Sequence, residues 1–270
     1  MEIIQSIILG VVQGVTEFLP ISSSGHLILI PNIFGWEDQG LAFDVALHWG
    51  TLVAILVYFR KDWMKIFRES YLLKNIKHQI LSIKQNSKLS NDPLFIIIIA
   101  TIPGGIVGLL LSNCAETVFR NPLIIAGTLL IGAALLFYAD KTGKKKSDLK
   151  NLSLRIGVII GLFQALAIVP GVSRSGITIT VALLLGMKRT DAARFSFLLS
   201  TPIILGAGIK EFPSLLESGL DTTILIGVLV SAVSGYLTIK YMLKYLENKG
   251  YNIFVGYRVV LALVILFFLS

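Results

Sequence analysis

Three ionisable residues, Glu17, His26 and Arg174, lie in stretches that are otherwise apolar or small. Ionisable groups at membrane depth are costly and mark functional sites by default. Glu17 follows Gln13 by four residues, so on a helix the two share a face, just ahead of Pro20. His26 follows the cluster Ser22-Ser23-Ser24-Gly25, and Arg174 sits inside Ser173-Arg174-Ser175-Gly176. Ser22 and Ser173 are placed to N-cap a helix that restarts after each cluster. A restarted helix presents unpaired N–H groups and the positive end of its dipole, which together suit an anion. Arg174 between two such ends suits phosphate, because a guanidinium grips phosphate oxygens as a bidentate fork. Glu17 repels a bare phosphate. It belongs there if a hard cation such as Mg²⁺ bridges carboxylate and phosphate oxygens, with Gln13 as a neutral oxygen ligand. A blander reading has Glu17 and Arg174 neutralising one another, the serines merely capping and His26 bonding a carbonyl. Its weakness is that it must hold at both clusters at once.

The surrounding chain is built for a bilayer. Of 270 residues 54% are hydrophobic and 15% charged, and the mean hydropathy is +0.79. Soluble domains carry about 25% charged residues, so an ordinary cytosolic enzyme is excluded. Six stretches, roughly 41–59, 94–112, 121–139, 191–209, 222–240 and 253–270, are long and apolar enough to span. Residues 3–32 and 154–187 are broken in the middle by Pro and a Ser/Gly cluster. Their halves are too short to span, so each region reads as two half-helices entering and leaving by one face, with the irregular backbone lining protein or a wet cavity. Trp36, Trp49 and Trp63 read as interface anchors, and His48, inside a span, as meeting a backbone partner, with lining the cavity as the lesser alternative. The lone Cys114 forms no internal disulfide and reads as packing. With an acidic Glu2 and a polar island instead of a cleavage site, the N-terminus reads as retained rather than as a signal peptide.

Charge gives the topology. The net charge of +8 belongs to loops, not to a nucleic-acid surface. With both broken regions re-entrant and the N-terminus outside, loops 60–92, 140–155, 188–194 and 240–252 fall on the cytoplasmic side and hold 20 of the 24 Lys and Arg residues. Arg120 and Lys210 remain outside. Loop 60–92, with Trp63, Ile66, Phe67, Ile76, Ile80 and Ile83 among its basic residues, reads either as an amphipathic helix on the inner leaflet or as a solvated face. Each half then contains one re-entrant pair and three spans, an odd number, so the second half is inserted upside down. The expected architecture is an all-α polytopic membrane protein in one domain, 1–270, made of inverted repeats 1–140 and 141–270. The sequence carries the repeat: Gly10, Gln13, Ser22, Ser24 and Gly25 recur as Gly161, Gln164, Ser173, Ser175 and Gly176, all displaced by 151 residues.

The run from Gln13 through Glu17, Pro20 and Ser22-Ser23-Ser24-Gly25-His26 resembles the (Glu/Gln)-x-x-x-Glu motif and following Ser-His stretch of the bacitracin-resistance undecaprenyl-diphosphate phosphatases. Pro170-Gly-Val-Ser173-Arg174-Ser175-Gly176-Ile-Thr178 is similar to that family's Pro-Gly-x-Ser-Arg-Ser-x-x-Thr motif, and the likeness covers essentially the whole chain. Gln at position 13 is one of the two residues the motif permits, and leaves the site one carboxylate fewer. The resemblance implies an integral enzyme, active at the outer face of the bacterial plasma membrane, that removes the terminal phosphate of undecaprenyl diphosphate. The lipid carrier is thereby recycled for peptidoglycan synthesis, and bacitracin is opposed. It implies a divalent cation, Mg²⁺ or Ca²⁺, held by Gln13 and Glu17. Glu17, Ser23, His26 and Arg174 become the catalytic set, with phosphate binding by Ser22, Ser24, Ser173, Ser175, Gly176 and Thr178. It also implies a homodimer.

Phosphoryl transfer needs an in-line nucleophile, neutralised charge and a proton acceptor. Ser23 either attacks phosphorus or positions a water. His26, three residues on, lies within one turn and can accept the proton. The competing reading is a transporter or flippase for an anionic prenyl-phosphate lipid, which the broken inverted repeat would serve equally well. Binding alone, however, needs no hydroxyl beside an imidazole and a carboxylate. A membrane scaffold would leave the buried charges without a purpose.

Overall fold

A computed structural model describes residues 2–70, 90–217, 219 and 221–268. Among these residues there is no strand, and helices follow one another along the chain. The first hairpin is α1 (Ile3–Phe18) and α2 (Ser23–Phe34). After it come α3 (Gly40–Tyr58), the short α4 (Arg60–Glu69), α5 (Pro93–Leu110), the five-residue α6 (Ser112–Glu116) and α7 (Pro122–Thr142). The second hairpin is α8 (Leu154–Gln164), a 3₁₀ turn at Ala165–Ile168, and α9 (Arg174–Leu184). It is followed by α10 (Arg189–Glu217), α11 (Thr222–Leu246) and α12 (Asn252–Phe268).

Five helices, α3, α5, α7, α10 and α11, are long and apolar enough to cross a membrane. The sixth expected span is α12, whose 17 described residues give a rise of about 26 Å, at the short end of the spanning range. The broken helices are shorter. α1, α2, α8 and α9 have 16, 12, 11 and 11 residues, or about 16–24 Å against a hydrocarbon core of about 30 Å.

Local chemistry sets where the spans begin. Asp92 accepts from Leu94 N (2.9 Å) and Phe95 N (3.3 Å), Asn121 accepts from Leu123 N (2.8 Å), and each cap is followed by Pro at the first helical position. Asp221 likewise caps α11 through Ile224 N at 2.9 Å. Between helices the glue is close backbone approach, since lipid removes the usual hydrophobic drive. A Cβ added to Gly10 of α1 would meet Gly227 O of α11 at 2.6 Å, and one on Gly161 of α8 would meet Ala100 O of α5 at 2.1 Å. The repeated glycines therefore do the same work: each lets the first helix of a half lie on a span of the other half. The main buried cluster, which includes Phe18, Ile55, Phe59, Ile96, Ala100, Ile179, Phe197 and Ile239, joins both halves. Outward-facing Ile102, Ile106, Leu229, Val233 and Val260 are exposed, as a lipid-facing surface requires.

Two tryptophan expectations are corrected. Trp63 is 8% exposed and belongs to the core. Trp49 is packed on α10, where a Cβ on Gly208 would lie 2.6 Å from its ring. Helix α4 carries the first part of the expected amphipathic segment, with Phe67 exposed and Trp63 buried; Ile76, Ile80 and Ile83 lie outside the described residues.

Candidate active site

The two breaks have the same backbone. Ser22 (φ 75°, ψ 95°) and Ser173 (φ 67°, ψ 113°) both adopt positive φ, a conformation that costs a non-glycine residue energy and clusters at functional sites. Each hydroxyl caps the helix it begins: Ser22 Oγ accepts from Gly25 N at 3.3 Å and Ser173 Oγ from Gly176 N at 3.0 Å. Each also lies beside the next-but-one serine, Ser22–Ser24 at 3.4 Å and Ser173–Ser175 at 3.2 Å. The breaks are stitched together by Gly171 N donating to Ser22 Oγ (3.0 Å) and by Ser175 Oγ donating to Leu19 O (3.0 Å). Two helix N-termini are thus held side by side.

Between them lies Glu17, buried at the end of α1. Its Oε1 is ion-paired with Arg174 Nη2. Its Oε2 accepts from Ser23 Oγ at 2.5 Å and from Gln13 Nε2 at 3.2 Å, and lies 3.3 Å from His48 Nε2. Arg174 spends a further N–H on Ser196 O at 3.2 Å. Glu17, Ser22, Ser23, Ser24, Ser173 and Arg174 all line one cavity of about 480 Å³, in the range of small-molecule sites. This wall combines a hydroxyl on a carboxylate, a guanidinium, and two capped helix ends.

Other residues singled out in the sequence take supporting positions. His26 does not reach Ser23. Its Nδ1 lies 2.7 Å from Ser22 O and its Nε2 2.7 Å from Tyr257 Oη, the two rings stacking at 5.6 Å. A carbonyl accepts only, so Nδ1 carries the proton and Nε2 accepts from the tyrosine; with both nitrogens engaged, His26 braces the first break. Thr178 is fully buried, bonded to Arg174 O (2.8 Å) and Ser196 Oγ (2.7 Å), so it holds the arginine's turn instead of facing the cavity. Ser175 is bonded away toward Leu19, and Gly176 is buried in the first turn of α9.

Four contributors were not assigned to the site from sequence. His48 has the backbone partner expected of it, Asp44 O at 2.7 Å from Nδ1, and also lines the cavity against Glu17. Tyr257 and Arg258 come from α12; an arginine in an apolar span was a visible signal. Gln164 is 2% exposed and neither atom of its amide has a partner, whereas its counterpart Gln13 bonds Glu17. The reason is readable: the position 151 residues after Glu17 is Ile168.

The divalent cation expected on Gln13 and Glu17 does not find a prepared cage. Both Glu17 oxygens are taken, one by a guanidinium, and only Gln13 Oε1 is free. Among the described residues no three His, Cys, Asp or Glu side chains come together.

Fold and site together define a multi-pass, all-helical membrane protein with a polar-walled cavity built where two helices break. Comparison with known proteins agrees. The model of the family described as bacitracin resistance protein BacA matches residues 6–264. The undecaprenyl-diphosphatase of Moorella thermoacetica is 48% identical over 98% of this chain and 97% of its own. Those of Saccharophagus degradans and Alcanivorax borkumensis are 48% and 46% identical, over 97% and 100% of this chain and 96% and 100% of theirs. The chain belongs to the BacA family.

Proposed function

We propose that this protein is a phosphatase that converts undecaprenyl diphosphate to undecaprenyl phosphate and inorganic phosphate. The observation that carries the reading is Ser23 Oγ donating to Glu17 Oε2 at 2.5 Å inside the cavity. Carrying an anion needs no such pair, whereas attack on phosphorus does. Ser23 Oγ forms a bond to the terminal phosphorus, its proton passes to Glu17, and the bridging P–O bond breaks to release undecaprenyl phosphate. Water then cleaves the phosphoserine and the proton returns. Arg174 and the N–H groups at the starts of α2 and α9 hold the phosphate oxygens as charge builds on them. Glu17 thus takes the proton-accepting part expected of His26. The names of the relatives support hydrolysis over transport. The test is phosphate release from a prenyl diphosphate by purified protein: full turnover in Ser23→Ala would refute the nucleophile.

The coarser parts of the reading follow. The repeated backbone at Ser22 and Ser173, with each half's first helix seated on the other half, supports two inverted repeats in one domain. The loop charges support a plasma-membrane protein whose cavity opens outward, so a Cys placed at Ser147 should resist membrane-impermeant thiol reagents in intact cells. The implied homodimer is tested by the mass of the protein in lipid nanodiscs. With no cage among the described residues, we read the divalent cation as arriving on the diphosphate: EDTA should lower hydrolysis, while Mg²⁺ titrated onto substrate-free protein should give no saturable calorimetric signal.

A further inference from the structure

Arg258 of α12 is fully buried and is the only Lys or Arg in that state among the described residues. Its five hydrogen bonds all go to main-chain carbonyls: Nε to Leu129 (3.1 Å), Nη1 to Pro20 (3.2 Å), and Nη2 to Thr128 (3.2 Å), Gly171 (2.9 Å) and Val172 (3.3 Å). Pro20 belongs to the first break, Gly171 and Val172 to the second, and Thr128 and Leu129 to α7. One side chain therefore grips both breaks from behind and ties them to a span. The fit is close, for a Cβ on Gly132 would lie 1.9 Å from Nη2 and one on Gly176 would lie 2.8 Å from Nη1.

The charge matters as much as the grip. The Lys and Arg residues that line the cavity, Arg120, Arg174 and Lys210, each pair with a carboxylate. None of the hydrogen bonds or ion pairs of Arg258 reaches one. A buried charge without a counter-ion is costly, and carbonyl dipoles relieve only part of that cost. The guanidinium stands behind the starts of α2 and α9, so its field adds to that of their dipoles at the cavity wall.

We propose that Arg258 is a positioning residue for the phosphate site: it locks the two broken segments so that both helix starts face a single anion, and the bound phosphate completes its charge balance. This rests on the phosphatase reading for its substrate, but not for its anion.

The test uses the full chain in detergent with two variants. Arg258→Lys keeps the charge and loses the multiple grip. Gly132→Ala keeps the arginine and displaces it, with a substitution that favours the helix. Inorganic pyrophosphate is titrated against thermal unfolding, with sulfate at equal ionic strength as control, and KM and kcat are measured on a prenyl diphosphate. Wild type should be stabilised by pyrophosphate. Both variants should need about tenfold more of it, and their KM should rise by about the same factor, well beyond any change in kcat. A role confined to folding would lower Tm without moving pyrophosphate affinity or KM, and that result overturns the proposal. If wild type bound pyrophosphate but hydrolysed nothing, the phosphatase reading would fall while the anion titration still decided the role of Arg258.

Discussion

The break at Ser22 and the break at Ser173 share a backbone and differ in the side chains that it carries. Both have a serine at positive φ whose hydroxyl caps the glycine three residues on. Ser23 in the first corresponds to Arg174 in the second, and Glu17 to Ile168. Gln13 is bonded to the carboxylate, and Gln164, without one, is left unpartnered. The two breaks thus supply two helix starts of matching backbone. In the proposed reaction, single differences of residue make one break the reacting side and the other the charge-compensating side.

That division is easiest to break at its reacting member. Ser23→Ala should lower phosphate release by about three decades or more, because removing a nucleophile leaves only positioning and binding. A loss under tenfold, with the protein still inserted, would dissolve the distinction between the halves. Next comes the compensating member. Arg174→Lys keeps the charge but cannot reproduce the fork, and loses charge-assisted hydrogen bonds of about 1.5–3 kcal/mol each, or roughly one to two decades in rate. Near-normal turnover would make Arg174 a counter-ion to Glu17 only. Ile168→Glu gives the second break the carboxylate of the first. It gives Gln164 a partner but sets a second carboxylate against the phosphate, so KM should rise about tenfold with little change in Tm; Ile168→Gln should show much less. The smallest effects should fall where the halves are already identical. Ser22→Ala and Ser173→Ala should each cost about 1 kcal/mol of stability as lost caps, seen as a few degrees in Tm, and a large inequality between them would show that the two backbones are not equivalent.

Much of this was legible in the residues. The hairpin breaks, the caps at Ser22 and Ser173, the spans and the Gln13–Glu17 pairing follow from spacing and residue type. His26 was misplaced because helical spacing says that a side chain can reach a neighbour, not that it will. Tyr257, 231 residues away, offers its Nε2 a partner that no local pattern reveals. His48 was read as a satisfied histidine, which it is on one nitrogen; the other depends on how α3 packs beside α1. Thr178 faces the wrong way for phosphate because Ser196 of α10 takes its hydroxyl. Arg258 was overlooked although its charge in an apolar run was plain. Long-range packing decided each of these cases.

The close approach of α1 to α11 also bears on how the chain is made. Gly14 has room for no side chain: a Cβ there would lie 2.0 Å from Ser234 Oγ and 2.6 Å from Ser231 O. Those partners leave the ribosome some 220 residues later. Through most of synthesis α1, too short to span alone, must wait at the translocon or the lipid edge with its glycine face bare. Closure is therefore a late event over a long sequence separation, the kind that slows folding. A ribosome halted before α11 would release a chain that holds Ser23 and Glu17 but gives them no wall to rest against.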